Sequence, residues 1–186
     1  MQLKKELRPS LIKQRKALKP SEKAFLDEKI FERLVQEDKV KNAKLVLCYV
    51  SSEIEVDTRR FLNYCFEKGI EVAVPKCVGN DMVFRIITSF FDLESGYKNI
   101  LEPKDGCSEV TDFDGAIFIT PALAISSDGY RIGYGKGFYD RFFRAAPCFS
   151  IGLCYDFCNF DFIYDEFDIP VNMLITQSQT RRIYGQ

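Results

Sequence analysis

The residues most able to do chemistry lie in one stretch, Asp128-Gly-Tyr-Arg-Ile-Gly-Tyr-Gly-Lys-Gly-Phe-Tyr-Asp-Arg141. Four of the chain's eleven glycines fall between positions 129 and 137, and Gly133, Gly135 and Gly137 alternate. Alternating glycines let a backbone take positive φ and let its N–H groups approach a bulky anion. Arg131, Lys136 and Arg141 bring positive charge to the same place, with Asp128 and Asp140 among them. Phosphate is the guest that such a set suits. An ordinary glycine-rich loop is the competing interpretation. A predicted helix from Phe138 to Ala146 favours the anion site, because a glycine turn feeding a helix N-terminus joins backbone donors to the helix dipole.

The stretch matches neither common phosphate motif. A Walker A loop has glycine five residues before its Gly-Lys pair and Ser or Thr after the Lys; here those positions are Tyr130 and Gly137. A dinucleotide fingerprint needs a third glycine at position 138, which is Phe.

The 186-residue chain is long enough to bury one good core, and we expect one domain over residues 1–186. Hydrophobic residues make up 46% and charged residues 28%, with a net charge of −1, which argues against a dedicated nucleic-acid binder or a disordered chain. Charge is unevenly placed: residues 1–44 hold 13 of the 26 Lys and Arg, a pattern expected of a basic helical face. The seven cysteines form no CxxC pair and read as reduced thiols of a cytoplasmic protein. No signal peptide or long apolar run is apparent, so neither export nor membrane contact is expected. Histidine is absent, which excludes His-based triads and His-ligated zinc. Carboxylates without histidine suit Mg²⁺, and Mg²⁺ suits phosphates.

The elements that must position these residues follow from periodicity. Leu3, Leu7, Leu11 and Leu18 recur at helical spacing in the basic N-terminal segment. Pro9 predicts that this helix starts only shortly before it; if residue 4 is included, Lys4 and Arg8 share a face. A second helix is predicted from Pro20 to near Glu37, with Phe31, Leu34 and Val35 inward. Lys44–Val50 reads as a strand buried on both faces. Thr58–Lys68 reads as a helix with Asp57 as N-cap and Gly69 closing it. Further strands are predicted at Ile70–Val74, stopped by Pro75, and at Met82–Thr88, Ala116–Thr120, Phe149–Cys154 and Val171–Ile175. The order implies a three-layer α/β/α, Rossmann-like fold with a largely parallel sheet. Ligands bind at strand carboxyl ends in such folds. Three loops therefore converge there: the one carrying Glu53, Glu55 and Asp57, the glycine loop, and the acidic segment with Asp156, Asp161, Asp165 and Asp168.

These residues resemble the 5-formyltetrahydrofolate cyclo-ligases, also called 5,10-methenyltetrahydrofolate synthetases. Arg131-Ile-Gly-Tyr-Gly-Lys-Gly-Phe-Tyr-Asp-Arg141 is similar to that family's nucleotide loop, and Pro121-Ala-Leu-Ala leads into it at the family's spacing. Tyr49 through Glu55-Val-Asp-Thr58 resembles its folate-side segment. Lys4–Arg8, ahead of Arg15 and Leu18, resembles its N-terminal nucleotide-contacting helix, and Asp168-Ile-Pro-Val171 with Ile175-Thr176 its C-terminal strand region.

The resemblance implies conversion of 5-formyltetrahydrofolate to 5,10-methenyltetrahydrofolate with ATP and Mg²⁺, by a monomer acting on a folate that can carry a polyglutamate tail. ATP would be bound by Lys4, Lys5, Glu6, Leu7 and Arg8 and by Arg131, Ile132, Gly133, Tyr134, Gly135, Lys136, Gly137, Phe138 and Tyr139. The folate would lie against Val50, Glu55, Tyr134, Gly135, Lys136, Gly137 and Phe138. Asp140 and Asp168 would hold Mg²⁺, and Lys136, Arg131 and Tyr139 would serve the chemistry. A non-catalytic folate- or nucleotide-binding protein on the same fold is the alternative, and a different ATP-dependent ligase is a third.

Overall fold

A computed structural model describes residues 2–79, 81–96 and 100–183. In chain order the elements are α1 Lys4–Lys16, α2 Pro20–Leu34, α3 Asp38–Lys41, β1 Leu45–Cys48, α4 Arg59–Lys68, β2 Glu71–Val78, β3 Asp81–Ile87, β4 Leu93–Ser95, β5 Leu101–Pro103, β6 Ile117–Pro121, β7 Ala124–Ile125, β8 Arg131–Ile132, α5 Phe138–Ala145, β9 Phe149–Leu153, β10 Met173–Ile175 and β11 Thr180–Arg182. Seven strands form the main sheet in the order β11-β10-β9-β6-β1-β2-β3. The interior pairs are parallel, and antiparallel strands close both edges. The expected α/β/α class is therefore what the chain adopts.

Side chains alternate faces along a strand, and both faces of this sheet are covered. Val46, Cys48, Ile117 and Ile119 pack with Ile30 and Leu34 of α2 and Phe61 and Leu62 of α4. Their neighbours Leu45, Leu47 and Phe118 pack on the other face with Phe142 and Phe143 of α5. There Phe118 meets Phe84 edge-on at 5.3 Å and Phe143 at 4.6 Å. Each such buried ring contributes about 1.5–3 kcal/mol by leaving water, so this aromatic knot firmly seats the helix that follows the glycine loop.

Proline is where the structure departs most from expectation. Pro75 does not stop β2, which runs on to Val78 with Pro75 opposite Phe84. Pairing with β1 covers only Glu71–Ala73, so beyond Ala73 one edge of β2 is outside the ladder and a missing N–H costs little there. Pro9 likewise lies inside α1 rather than at its start. The carbonyl it leaves unpaired belongs to exposed Lys5, where water can satisfy it. Asp57 is not the N-cap of α4: Thr58 is, and the Asp57 carboxylate instead accepts from the Ser51 hydroxyl at 2.9 Å. The second predicted helix is α2, ending at Leu34, and the short α3 after it was not predicted. The polar stretch after β3 contains the β4–β5 hairpin, which periodicity did not reveal.

Among the described residues no helix is long and apolar enough to cross a membrane.

Candidate active site

The carboxyl ends of β1, β6 and β9 open on one edge of the sheet, and the loops that leave them are tied together. After β6 the chain makes the β7–β8 ribbon, whose register pairs Ala124 with Ile132 and Ile125 with Arg131. This brings the glycine loop back over the sheet edge and delivers it to α5. Gly135 and Gly137 take positive φ (91° and 67°), and Gly137 forms the N-cap of α5; Gly133 does not need it. Gly135 is also constrained by space, since a Cβ there would stand 3.2 Å from the Arg8 guanidinium carbon.

Helix α1 supplies that guanidinium. Arg8 Nε donates to the Gly133 carbonyl at 2.8 Å, and Lys4 forms a buried ion pair with Asp168 at 2.6 Å. Both cations therefore share one face of α1. Of the rest of that segment, Lys5 and Glu6 are exposed, Glu6 accepting from the Leu3 N–H, while Leu7 packs against the apolar cluster around Leu123 and Ile125.

Arg131 lies beneath the loop and is only 6% exposed. Its Nη2 donates to Asp140 Oδ1 at 2.7 Å, its Nη1 to the Ile169 carbonyl at 3.1 Å, and its guanidinium sits 5.0 Å from the Phe143 ring centre. Burial pulls its pKa down while the Asp140 and Asp168 charges push it back. The Ile169 N–H also donates to Asp140 Oδ1 at 3.3 Å, which holds Asp140 beside the segment bearing Asp168. Ile132 is core, and Lys136 is exposed at the loop tip, its carbonyl accepting from Arg141 at 3.0 Å. Phe138 is half-buried beside the Arg141 guanidinium.

The loop after β1 presents Glu55, which is 9% exposed rather than solvent-facing. Its Oε2 accepts from the Ser52 N–H at 2.8 Å, and its own N–H donates to the Ser52 carbonyl, closing a tight turn. Val50 is part of the core. Glu55 faces three phenols. Tyr134 of the glycine loop lies near enough to Ser52 and Glu55 for both to act on its phenol, although the residue is 48% exposed. Burial first, and the Glu55 charge second, push the Tyr49, Tyr134 and Tyr139 phenols up. All three remain O–H donors at neutral pH, and Tyr139, packed on Phe118 at 5.7 Å, is suited to donate rather than to act as a base.

The donor set tests whether Mg²⁺ fits. Among the described residues no three His, Cys, Asp or Glu side chains cluster as a metal cage. Mg²⁺ does not need one: it takes one or two carboxylates together with substrate phosphates and water. Asp140, hydrogen-bonded to the Ile169 N–H next to Asp168 in the chain, and Asp168 itself each use a single named oxygen in their ion pairs and fit that requirement.

Of the expected acidic residues, Asp161 instead accepts from Ser127, through its N–H at 2.8 Å and its hydroxyl at 2.6 Å. What sequence missed is the cement. Arg15 is 2% exposed and donates to the carbonyls of Ile54, Ala122 and Leu123. Beyond its place in the family-like N-terminal segment, its sequence signal is spacing: Lys4, Arg8, Leu11 and Arg15 follow i, i+4, i+7, i+11 along one helix face.

Fold and site together define the class: an α/β enzyme in which a glycine loop and a carboxylate-bearing loop meet at the carboxyl edge of a largely parallel sheet. The profile of the 5-formyltetrahydrofolate cyclo-ligase family matches residues 1–177, and the chain belongs to that family. It is 30% identical over 182 residues to the 5-formyltetrahydrofolate cyclo-ligase of Mycoplasma pneumoniae, covering 92% of this chain and 97% of that one. It is 26% identical over 178 residues to the cyclo-ligase of Escherichia coli strain K12, covering 89% and 95%. Among solved structures it superimposes on Aquifex aeolicus 5,10-methenyltetrahydrofolate synthetase with a TM-score of 0.88 and 31% identity, over 98% of this chain and 94% of that one.

Proposed function

We propose that this protein converts 5-formyltetrahydrofolate to 5,10-methenyltetrahydrofolate, consuming ATP and releasing ADP and phosphate. The observation that carries the proposal is the meeting of the two loops: buried Arg15 donates to the Ile54 carbonyl beside Glu55 and to the Ala122 and Leu123 carbonyls that lead to the glycine loop. A phosphate-binding loop and a buried carboxylate able to accept paired N–H donors thus face one space. Family membership supports the same reading.

An amide-like formyl oxygen is a poor leaving group until it is phosphorylated. In the proposed reaction that oxygen attacks the γ-phosphorus, ADP departs, and an iminium phosphate forms at N5. N10 then attacks the formyl carbon and loses its proton, and the C–O bond breaks to release phosphate. Such transfer needs positioning and charge neutralisation more than a protein nucleophile, so a chain without histidine is not handicapped. Lys136, the loop N–H groups and Arg8 neutralise and orient the phosphates. Glu55 holds the pterin through side-by-side N–H donors. Tyr134 and Phe138 wall the pterin, and Tyr139 holds its proton as a donor beside them. Asp140 and Asp168 would hold Mg²⁺, which when bound supplies positive charge to the nucleotide's phosphates.

The direct test is optical. Purified protein given 5-formyltetrahydrofolate, ATP and Mg²⁺ should generate the near-ultraviolet absorbance of the conjugated methenyl product. No ATP-dependent rise would overturn the proposal. Glu55→Gln should raise KM for the folate about tenfold, the loss of roughly 1.4 kcal/mol from a charge-assisted bond, with KM for ATP unchanged. A defect confined to ATP would remove Glu55 from the folate side.

A further inference from the structure

Glu55 is gripped on both sides by residues on other elements. Just before it, the Ile54 carbonyl accepts from Arg15 Nη1 at 3.1 Å; just after, the Asp57 N–H donates to Asp27 Oδ1 at 3.2 Å. Arg15 belongs to α1 and Asp27 to α2, and both are buried. They converge on Tyr155, in the loop after β9. The Arg15 guanidinium lies 5.2 Å from its ring centre, and the Tyr155 hydroxyl donates to Asp27 Oδ1 at 2.8 Å. Tyr155 is fully buried. The remaining Asp27 oxygen is held by Lys23 at 2.6 Å, and Arg15 Nη2 reaches the Ala122 and Leu123 carbonyls that lead toward the glycine loop.

The loop after β1 already fixes its own shape. Tyr49 donates from its hydroxyl to the Val56 carbonyl at 2.9 Å, and Ser51 and Thr58 exchange hydrogen bonds between side chains and backbone. Those bonds say nothing about where the loop stands relative to the glycine loop. The contacts of Arg15 and Asp27 do, because each leaves the loop for a helix, and Arg15 at the same time holds the Ala122–Leu123 segment that leads to the glycine loop.

We propose that Arg15, Tyr155 and Asp27 are a positioning set that holds Glu55 at its working distance from the glycine loop. The proposal rests on Glu55 serving the folate. None of the three is a catalytic residue; they act through Glu55.

Tyr155→Phe keeps the ring and removes only the hydroxyl. It should raise KM for 5-formyltetrahydrofolate about tenfold, leave KM for ATP unchanged and keep kcat within about twofold, since misplacement by a fraction of an ångström weakens a directional contact. In a Glu55→Gln background the same change should alter the folate KM by less than about twofold, the non-additivity of residues acting through one group. Arg15→Lys should fall between wild type and Arg15→Ala, because it retains charge without the fork. Amide hydrogen exchange gives a readout free of turnover: residues 52–57 should exchange about tenfold faster in Tyr155→Phe, with 133–137 unchanged. Equal effects on both KM values, additivity with Glu55→Gln, or unchanged exchange at 52–57 would overturn the positioning set. A wild type without turnover would sink the proposed reaction instead, and exchange would still decide whether this set holds the loop.

Discussion

Arg131→Ala is expected to lower the free energy of unfolding by about 3–5 kcal/mol, the cost of breaking a buried pair by removing one partner. The Arg131 side chain is 4% exposed and its partner Asp140 29%. Without the guanidinium, Asp140 keeps only the Ile169 N–H among its named contacts, and the Ile169 carbonyl loses its donor. Arg131→Lys should recover less than half of the loss, since an ammonium group cannot serve Asp140 and the carbonyl together while lying on Phe143. Chemical denaturation measures both: the midpoint should fall steeply for alanine and less for lysine. A loss below about 1 kcal/mol for alanine would mean that the pair is solvated after all. The arginine that sequence marks as chemical thus acts first as the post on which the glycine loop and Asp140 stand.

Lys136→Ala should show the opposite profile. Lys136 is exposed, so unfolding should change by no more than about 0.5 kcal/mol. Turnover should fall by about 10²–10³, the scale of removing one donor aimed at developing charge, with folate binding largely kept. Steady-state kinetics and folate titration separate these outcomes. Unchanged turnover would take Lys136 out of the mechanism.

Arg131 and Lys136 also mark what a sequence can and cannot disclose. The glycine loop was legible because glycine spacing reports backbone conformation directly, and Gly135 and Gly137 do take positive φ. Strands β1 and β6 were legible because burial on both faces leaves uninterrupted apolar runs. Pro75 and Pro9 misled because the effect of a proline depends on whether its missing N–H had a partner, and only three dimensions decide that. On α1 the inner face was misjudged for a related reason. Periodicity places leucines inside and cations outside, whereas the buried residues there are Lys4, Leu11 and Arg15. Tyr155 and Asp27 carried no local signal, since their contact joins positions 128 apart.

That separation bears on how the molecule comes into being. Arg8 reaches Gly133 across 125 positions, and Arg15 reaches Ala122 across 107. During synthesis α1 therefore leaves the ribosome long before the segments that neutralise its inner face exist. Until they arrive, Arg8 and the Nη2 of Arg15 lack these partners, and their late docking must overcome the entropy of closing a very long loop. A chain halted before Ala122 therefore lacks both Gly133 and Asp168, the partners of Arg8 and Lys4.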